Sequence, residues 1–275
     1  SAPATMNIDG SFGEWNAVLP LFRDPIGDTM HRNYIGYDST VVYTNYTGRN
    51  DIVESRVTYD TNNLYFYVKT AGALSPSDDP NWMLLLIDAD RKKGTGWEGY
   101  DYVVNLQVLS STQTTIKKWN GLTWSNEITV PYRVVGNEME LSVPREVLMQ
   151  GSQTPEFYFH WTDNPQHIND ISSFFTDGES APDRRFNFNF STSKVEKKEQ
   201  TPYKPAEIPG VVEFENFDNG GAGVAYVDAT FENSGGQYRT NESVDIERKG
   251  VNGYNLTSVY SGEWYEYTVD VKIIG

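Results

Sequence analysis

Carboxylates are the most numerous side chains here that could do chemistry. Glu213-Phe-Glu215 spaces two of them at i and i+2, which puts both on one face if the segment is a strand. Two like charges held that close call for a counter-charge, and Ca2+ takes such oxygen ligands readily. The competing reading is an edge strand with both groups in water. Asp88 and Asp90 precede a glycine-rich loop, Gly94-Thr-Gly-Trp-Glu-Gly-Tyr-Asp101, and with Asp101 they could hold a cation. Their spacing is not that of an EF-hand, because the sixth loop position lacks Gly and the twelfth lacks Glu. The alternative is that Asp88 and Asp90 cap a strand end and pair with Arg91, Lys92 or Lys93.

Rings are the second resource. Aromatic residues make up 14% of the chain, with Tyr most frequent, in surplus of what a core needs if some of them serve a sugar-binding surface. Packing of Tyr on pleated sheets is the competing use. Trp97 and Tyr100 lie on the glycine-rich loop, where rings are exposed more readily than inside strands, so Trp97 is the first candidate for stacking on a sugar. Trp82 and Trp161 are alternates, with core packing as their competing role. His160, Asp163, His167 and Asp170 form the densest His/Asp group, which suits acid–base or metal chemistry. Its His-x6-His spacing matches neither one helix face nor a zincin motif. A hydrolase or lyase built on His160 and Asp163 is the enzymatic alternative; polar residues around a strand end are the structural one. No Gly-x-Ser-x-Gly elbow and no phosphate loop is present.

Charge and composition narrow the partners. The 22 basic and 38 acidic residues give a formal net charge of −16, which disfavours nucleic acid and anionic lipid and leaves neutral sugars and divalent cations. There is no cysteine, so disulfides and thiolate sites are excluded. The longest apolar run, Met83 to Ile87, is far short of the ~20 residues that cross a bilayer, so no membrane span is expected.

The elements that must position these groups read as strands. Candidates are Thr40–Thr44, Ile52–Tyr59, Leu64–Val68, Trp82–Ile87, Asp101–Leu109, Thr114–Trp119, Glu127–Val135, Glu138–Val143 and Pro155–Trp161. Leu64-Tyr-Phe-Tyr-Val68 alternates with period 2, and Asp60-Thr-Asn-Asn63 before it is turn chemistry, so 52–69 is expected to be a hairpin. Trp82–Ile87 is continuously apolar, as in a strand buried on both faces. Pro144–Met149 is the best helical segment. This rhythm predicts an all-β chain, with an antiparallel β-sandwich over 1–191. Residues 192–210 combine Lys194-Val-Glu-Lys-Lys-Glu199 with Pro202, Pro205 and Pro209 and read as a linker. The remaining 211–275 is marginal in size for a cystine-free β domain.

Two stretches resemble known families. Pro209-Gly-Val-Val-Glu-Phe-Glu-Asn-Phe-Asp-Asn-Gly-Gly-Ala-Gly-Val-Ala-Tyr-Val-Asp228, Asn233-Ser-Gly-Gly-Gln-Tyr-Arg239, Val244-Asp-Ile-Glu247, Gly253-Tyr-Asn255 and Gly262-Glu-Trp-Tyr-Glu-Tyr-Thr-Val269 resemble, in order and spacing, the N-terminal half of family 6 carbohydrate-binding modules. The resemblance implies a jelly-roll β-sandwich, a structural Ca2+ on Glu213, Glu215 and the Tyr254 carbonyl, and sugar contacts from Asp245 and Glu247 within the matched motif. Ser258 stands where the family's main cleft has an aromatic, so Tyr260, two residues on, would have to replace it. The family's second half would follow Gly275, so 211–275 is expected to be an incomplete module. Asn7-Ile-Asp-Gly-Ser-Phe-Gly-Glu-Trp15, Val57–Val68, Leu86-Ile-Asp-Ala-Asp90 with Gly94–Asp101, and His160-Trp-Thr-Asp163 resemble family 9 carbohydrate-binding modules and their sandwich relatives. Together these imply a non-catalytic carbohydrate-binding accessory region of an exported polysaccharide-degrading enzyme, secreted, periplasmic or on the cell surface. Its partners would be a polysaccharide or oligosaccharide and an adjacent glycoside hydrolase domain. A scaffold that positions such a domain and binds nothing is the structural alternative.

Overall fold

The alternation at Leu64-Tyr-Phe-Tyr-Val68 becomes a strand with two buried faces. Leu64, Phe66 and Val68 enter the main core, while Tyr65 and Tyr67 pack beneath Met6, Trp15 and Val18. The computed structural model describes residues 3–29, 32–36, 40–149, 154–192, 200–228, 233–251, 253–260 and 262–272. The chain divides into two compact units, Ser1–Ser193 and Lys194–Gly275.

In chain order the first unit contains β1 (Leu21–Arg23), β2 (Arg32–Ile35), β3 (Val42–Asn45), β4 (Ile52–Tyr59), β5 (Asn63–Thr70), β6 (Leu84–Asp88) and β7 (Tyr102–Val108). Then follow β8 (Gln113–Trp119), β9 (Trp124–Val135), β10 (Glu138–Pro144), β11 (Glu156–Asp163), β12 (Glu179–Ala181) and β13 (Phe188–Ser191). The helices are short: α1 (Arg145–Met149), α2 (Ser173–Thr176) and a 3-10 turn at Phe12–Ala17. Eleven strands make one antiparallel sheet in the order β1-β4-β5-β10-β9-β8-β7-β6-β11-β12, with β13 also on β11. Strand β9 spans the bend: it pairs with β8 as far as Pro131 and with β10 from Tyr132 onward. The two halves of the sheet thereby bury a common core, Phe66 and Leu141 from one half with Leu85, Phe159 and Trp161 from the other. Each such ring or aliphatic group contributes about 1.5–3 kcal/mol when fully buried. The result is the all-β, sandwich-like fold expected.

The continuous apolar run is explained by β6. Leu85 and Ile87 face the main core, and Leu84 and Leu86 face a second cluster with Tyr100, Val103 and Phe174. The strand opens at Leu84 rather than at Trp82, because Asn81 and Met83 have left-handed backbone (φ 51° and 41°) that cannot continue a ladder.

The second unit contains β14 (Glu207–Ile208), a 3-10 turn (Phe214–Asn216), β15 (Tyr226–Val227), β16 (Ile246–Lys249), β17 (Gly253–Leu256), β18 (Trp264–Tyr265) and β19 (Asp270–Val271). Among the described residues these strands join only in pairs, β14 with β19, β15 with β18 and β16 with β17. A small core of Phe217, Ala225, Tyr226, Val244 and Ile246 sits among them. The linker is shorter than the proline pattern suggested. From Gln200 onward the chain is tied into this unit: Gln200 bonds Asp218 and Glu266, the Thr201 and Asn219 backbones exchange hydrogen bonds, and β14 pairs with β19. Lys194–Glu199 lies outside the described residues.

Candidate functional site

Three indoles converge on the outer face of the first unit. Trp119 and Trp124 are register partners at the ends of β8 and β9, on either side of the Asn120-Gly121 turn, where Gly121 supplies φ 95°. Their rings meet edge to face at 5.2 Å. Trp97 reaches Trp124 from the β6–β7 loop at 6.1 Å and tilts against Phe174 at 5.6 Å. Trp97 is held there by a tight turn: its N–H donates to the Tyr100 carbonyl and the Tyr100 N–H to its own carbonyl, both at 2.8 Å. Glu98 and Gly99 at the centre of the turn both have positive φ. All three indoles are half-buried, and Trp97 and Trp124 pack against the cluster around Leu84, Leu86 and Phe174. Beside them Arg185 donates to Glu98 at 3.1 Å. An apolar ring surface edged by polar groups is the chemistry that binds the C–H face of a neutral sugar while its hydroxyls find donors and acceptors.

Of the rings expected to stack on sugar, Trp97 keeps an open edge and Tyr100 does not. Tyr100 is buried, and its hydroxyl donates to Asn187 Oδ1 at 2.8 Å. The turn that presents Trp97 points Tyr100 inward onto Leu84 and Leu86. Trp161 is a core residue with no exposed surface, its N–H donating to Ser55 Oγ at 3.0 Å. Trp82 is likewise buried and donates to the Ser75 carbonyl. In the second unit Tyr260 is exposed, as is Glu247, which accepts from Asn255 Nδ2 at 3.1 Å. Asp245 is buried and accepts the Ser234 amide at 2.6 Å; it braces a loop and does not face solvent sugar. Trp119 and Trp124 were missed, although two Trp flanking an Asn-Gly turn was a readable hairpin signal.

The expected cation ligands fare unevenly. Glu213 is the extended residue just before a 3-10 turn, Phe214–Asn216, and Glu215 lies inside that turn, so the two do not share a strand face. Glu213 is exposed and accepts from Asn216 at 2.8 Å, whereas Glu215 is buried. Tyr254 pairs with Arg248 across β16–β17, and its ring stacks on Tyr238 at 4.6 Å. Asp88, Asp90 and Asp101 do come together, with oxygens within 4.8 Å of one another. Backbone amides already serve them: Asp101 accepts from Ala89, and Asp88 and Asp90 both accept from Lys92. Burial, then Asp101 and Asp90, pushes the Asp88 carboxyl up to about 6, against those amides. The structure also gathers Asp24, Asp28 and Glu179, which no sequence spacing links.

His160 and Asp163 form no pair. Three residues apart on β11, they point to opposite faces. His160 Nδ1 donates to the Phe186 carbonyl at 2.8 Å, and its Nε2 lies 3.3 Å from Ser180 Oγ. Asp163 takes Arg49 Nε at 2.7 Å and Nη2 at 3.1 Å, together with the Met83 amide. Burial raises the Asp163 carboxyl and Arg49 opposes it.

Fold and surface thus define the class, an all-β sandwich-like protein with an aromatic face. No family model matches the chain, and no curated protein or solved structure matches it.

Proposed function

We propose that the chain is a non-catalytic carbohydrate-binding accessory region, acting beside a polysaccharide-degrading domain in an exported setting. The half-buried Trp97, Trp119 and Trp124 face carries the reading. Sugars stack on such rings for about 1–3 kcal/mol each, by analogy with nucleobases. The acidic surface suits a neutral glycan better than an anionic one. The separation and full burial of His160 and Asp163 support the non-catalytic part. In the second unit, exposed Tyr260 and Glu247 would add a weaker contact.

Affinity electrophoresis against soluble glucans, xylans, mannans and galactans tests this. Retardation by at least one polymer is expected, and it is lost in Trp97→Ala and Trp124→Ala but kept in Tyr260→Ala at reduced strength. A folded sample retarded by none leaves only the scaffold role.

A further inference from the structure

The edge where β1 and β4 approach β12 collects more carboxylates than the single arginine facing them can neutralise. Asp24 follows β1, and its amide bonds the Val53 carbonyl at 3.3 Å, which fixes it beside the start of β4. The turn after it sends the Gly27 amide onto Asp51 Oδ2 at 2.8 Å, drawing in the residue that precedes β4. Glu179 opens β12, and its Oε1 accepts the Ile52 amide at 3.1 Å. One oxygen each of Asp24, Asp28 and Glu179 then lies within 4.8 Å of the others. Asp183 adds a further negative charge close to Asp24 and Asp28.

One cation faces this group among the described residues. Arg32 Nη2 stands 3.9 Å from Asp28 Oδ2, and its other donors go to the carbonyls of Asp28, Phe175 and Gly178. Glu179 is wholly buried, yet its Oε2 has no hydrogen-bond partner among the described residues. The same holds for Asp24 Oδ2, Asp51 Oδ1 and the Thr29 hydroxyl, while the Asp28 carboxyl lies close enough to that of Asp183 for the two to share a proton. This is the opposite of the Asp88 cluster, whose oxygens are served by amides. Burial first, then the neighbouring acids, pushes Asp24 up to about 9 and Asp28 up to about 7, and raises Glu179 well above its usual value. Four or five carboxyl groups in such a place either share protons or hold a metal.

We propose that Asp24, Asp28 and Glu179, with Asp51 beside them, form a calcium site that clamps β1 and β4 to β12 across the open edge of the first sandwich. The donors are all oxygen, which selects a hard cation over zinc. Carboxylate oxygens gathered within 4.8 Å of one another can share one ion, and Ca2+ accepts six to eight oxygen ligands in flexible geometry, where Mg2+ demands a near-ideal octahedron. The site is independent of any sugar and uses neither Glu213 nor Glu215.

The test is calorimetric titration of the metal-stripped full chain with CaCl2, with tryptophan-fluorescence melting alongside. The wild-type chain is expected to take up one Ca2+ that the Asp28→Asn/Glu179→Gln double variant does not, while Asp88→Asn keeps it. The double variant should also lose the Ca2+-induced increase in melting temperature that wild type shows. If wild type takes up no Ca2+, or the double variant takes up as much as wild type, the clamp is refuted and the acids share protons instead. Should the double variant not fold, Asp24→Asn serves: at least tenfold weaker Ca2+ binding supports the site, and unchanged affinity overturns it.

Discussion

Lowering the pH should unlock the first unit through a single imidazole. His160 is fully enclosed, and burial, aided by Arg185, pushes its pKa down to about 4 from an unfolded value of 6.5. Its ring is neutral with the proton on Nδ1, because the Phe186 carbonyl 2.8 Å away can only accept. The folded pKa is depressed, so the contribution is complete above pH 6.5. Between pH 6.5 and about 4 the unfolded chain takes the proton first, and stability falls by about 1.4 kcal/mol per pH unit. The whole window amounts to about 3 kcal/mol, a large part of a domain's net stability. Asp24, Asp28 and Glu179 have raised pKa values and bend the profile the other way, so the quantity to measure is a difference. His160→Asn can place an amide N–H where Nδ1 donates and cannot titrate. Urea unfolding from pH 7.5 to 4.5, followed by tryptophan fluorescence, reads mainly the first unit, since Trp264 alone lies in the second. The wild-type advantage over the variant should shrink steadily below pH 6.5. A difference that stays flat within about 0.5 kcal/mol over that range would refute the reasoning.

Other substitutions have equally definite outcomes. Arg49→Met strands the buried Asp163 carboxylate and should cost about 3–5 kcal/mol in denaturant unfolding, whereas a loss below about 1 would mean that the 2.7 Å ion pair braces nothing. Trp161→Ala leaves a cavity between the sheet halves and should cost about 3–5 kcal/mol by the same assay. Gly96→Ala, at φ +70° with its new Cβ driven into the Tyr100 carbonyl, should cost more than about 1 kcal/mol and shift Trp97 emission; a neutral result would show that the turn at 97–100 is not fixed.

The strands were largely legible because their residues obey local rules. Leu64–Val68 alternates with period 2 and pairs as a hairpin with β4, and the apolar run at 83–87 proved to be buried on both sides. What escaped were properties set by distant partners. Tyr100 and Trp97 share one loop and pack on the same cluster around Leu84 and Leu86; only the turn between them decides that Tyr100 is buried there and Trp97 half-buried. Glu213 and Glu215 were read with strand geometry, and a 3-10 turn that begins between them ends the shared face. The Asp24, Asp28 and Glu179 group exists only because the sheet bends along β9 and returns β12 to the β4 edge, so no spacing in the sequence could announce it.

The aromatic face is tested most directly by recording the indole N–H resonances of 15N-tryptophan-labelled chain while adding oligosaccharides of the polymer that retards it. Seven signals are expected, one per tryptophan. Trp97, Trp119 and Trp124 should shift in proportion to occupancy, with Trp15, Trp82 and Trp161 unmoved. Titration that leaves those three still, or moves only Trp264, would contradict sugar recognition on this face.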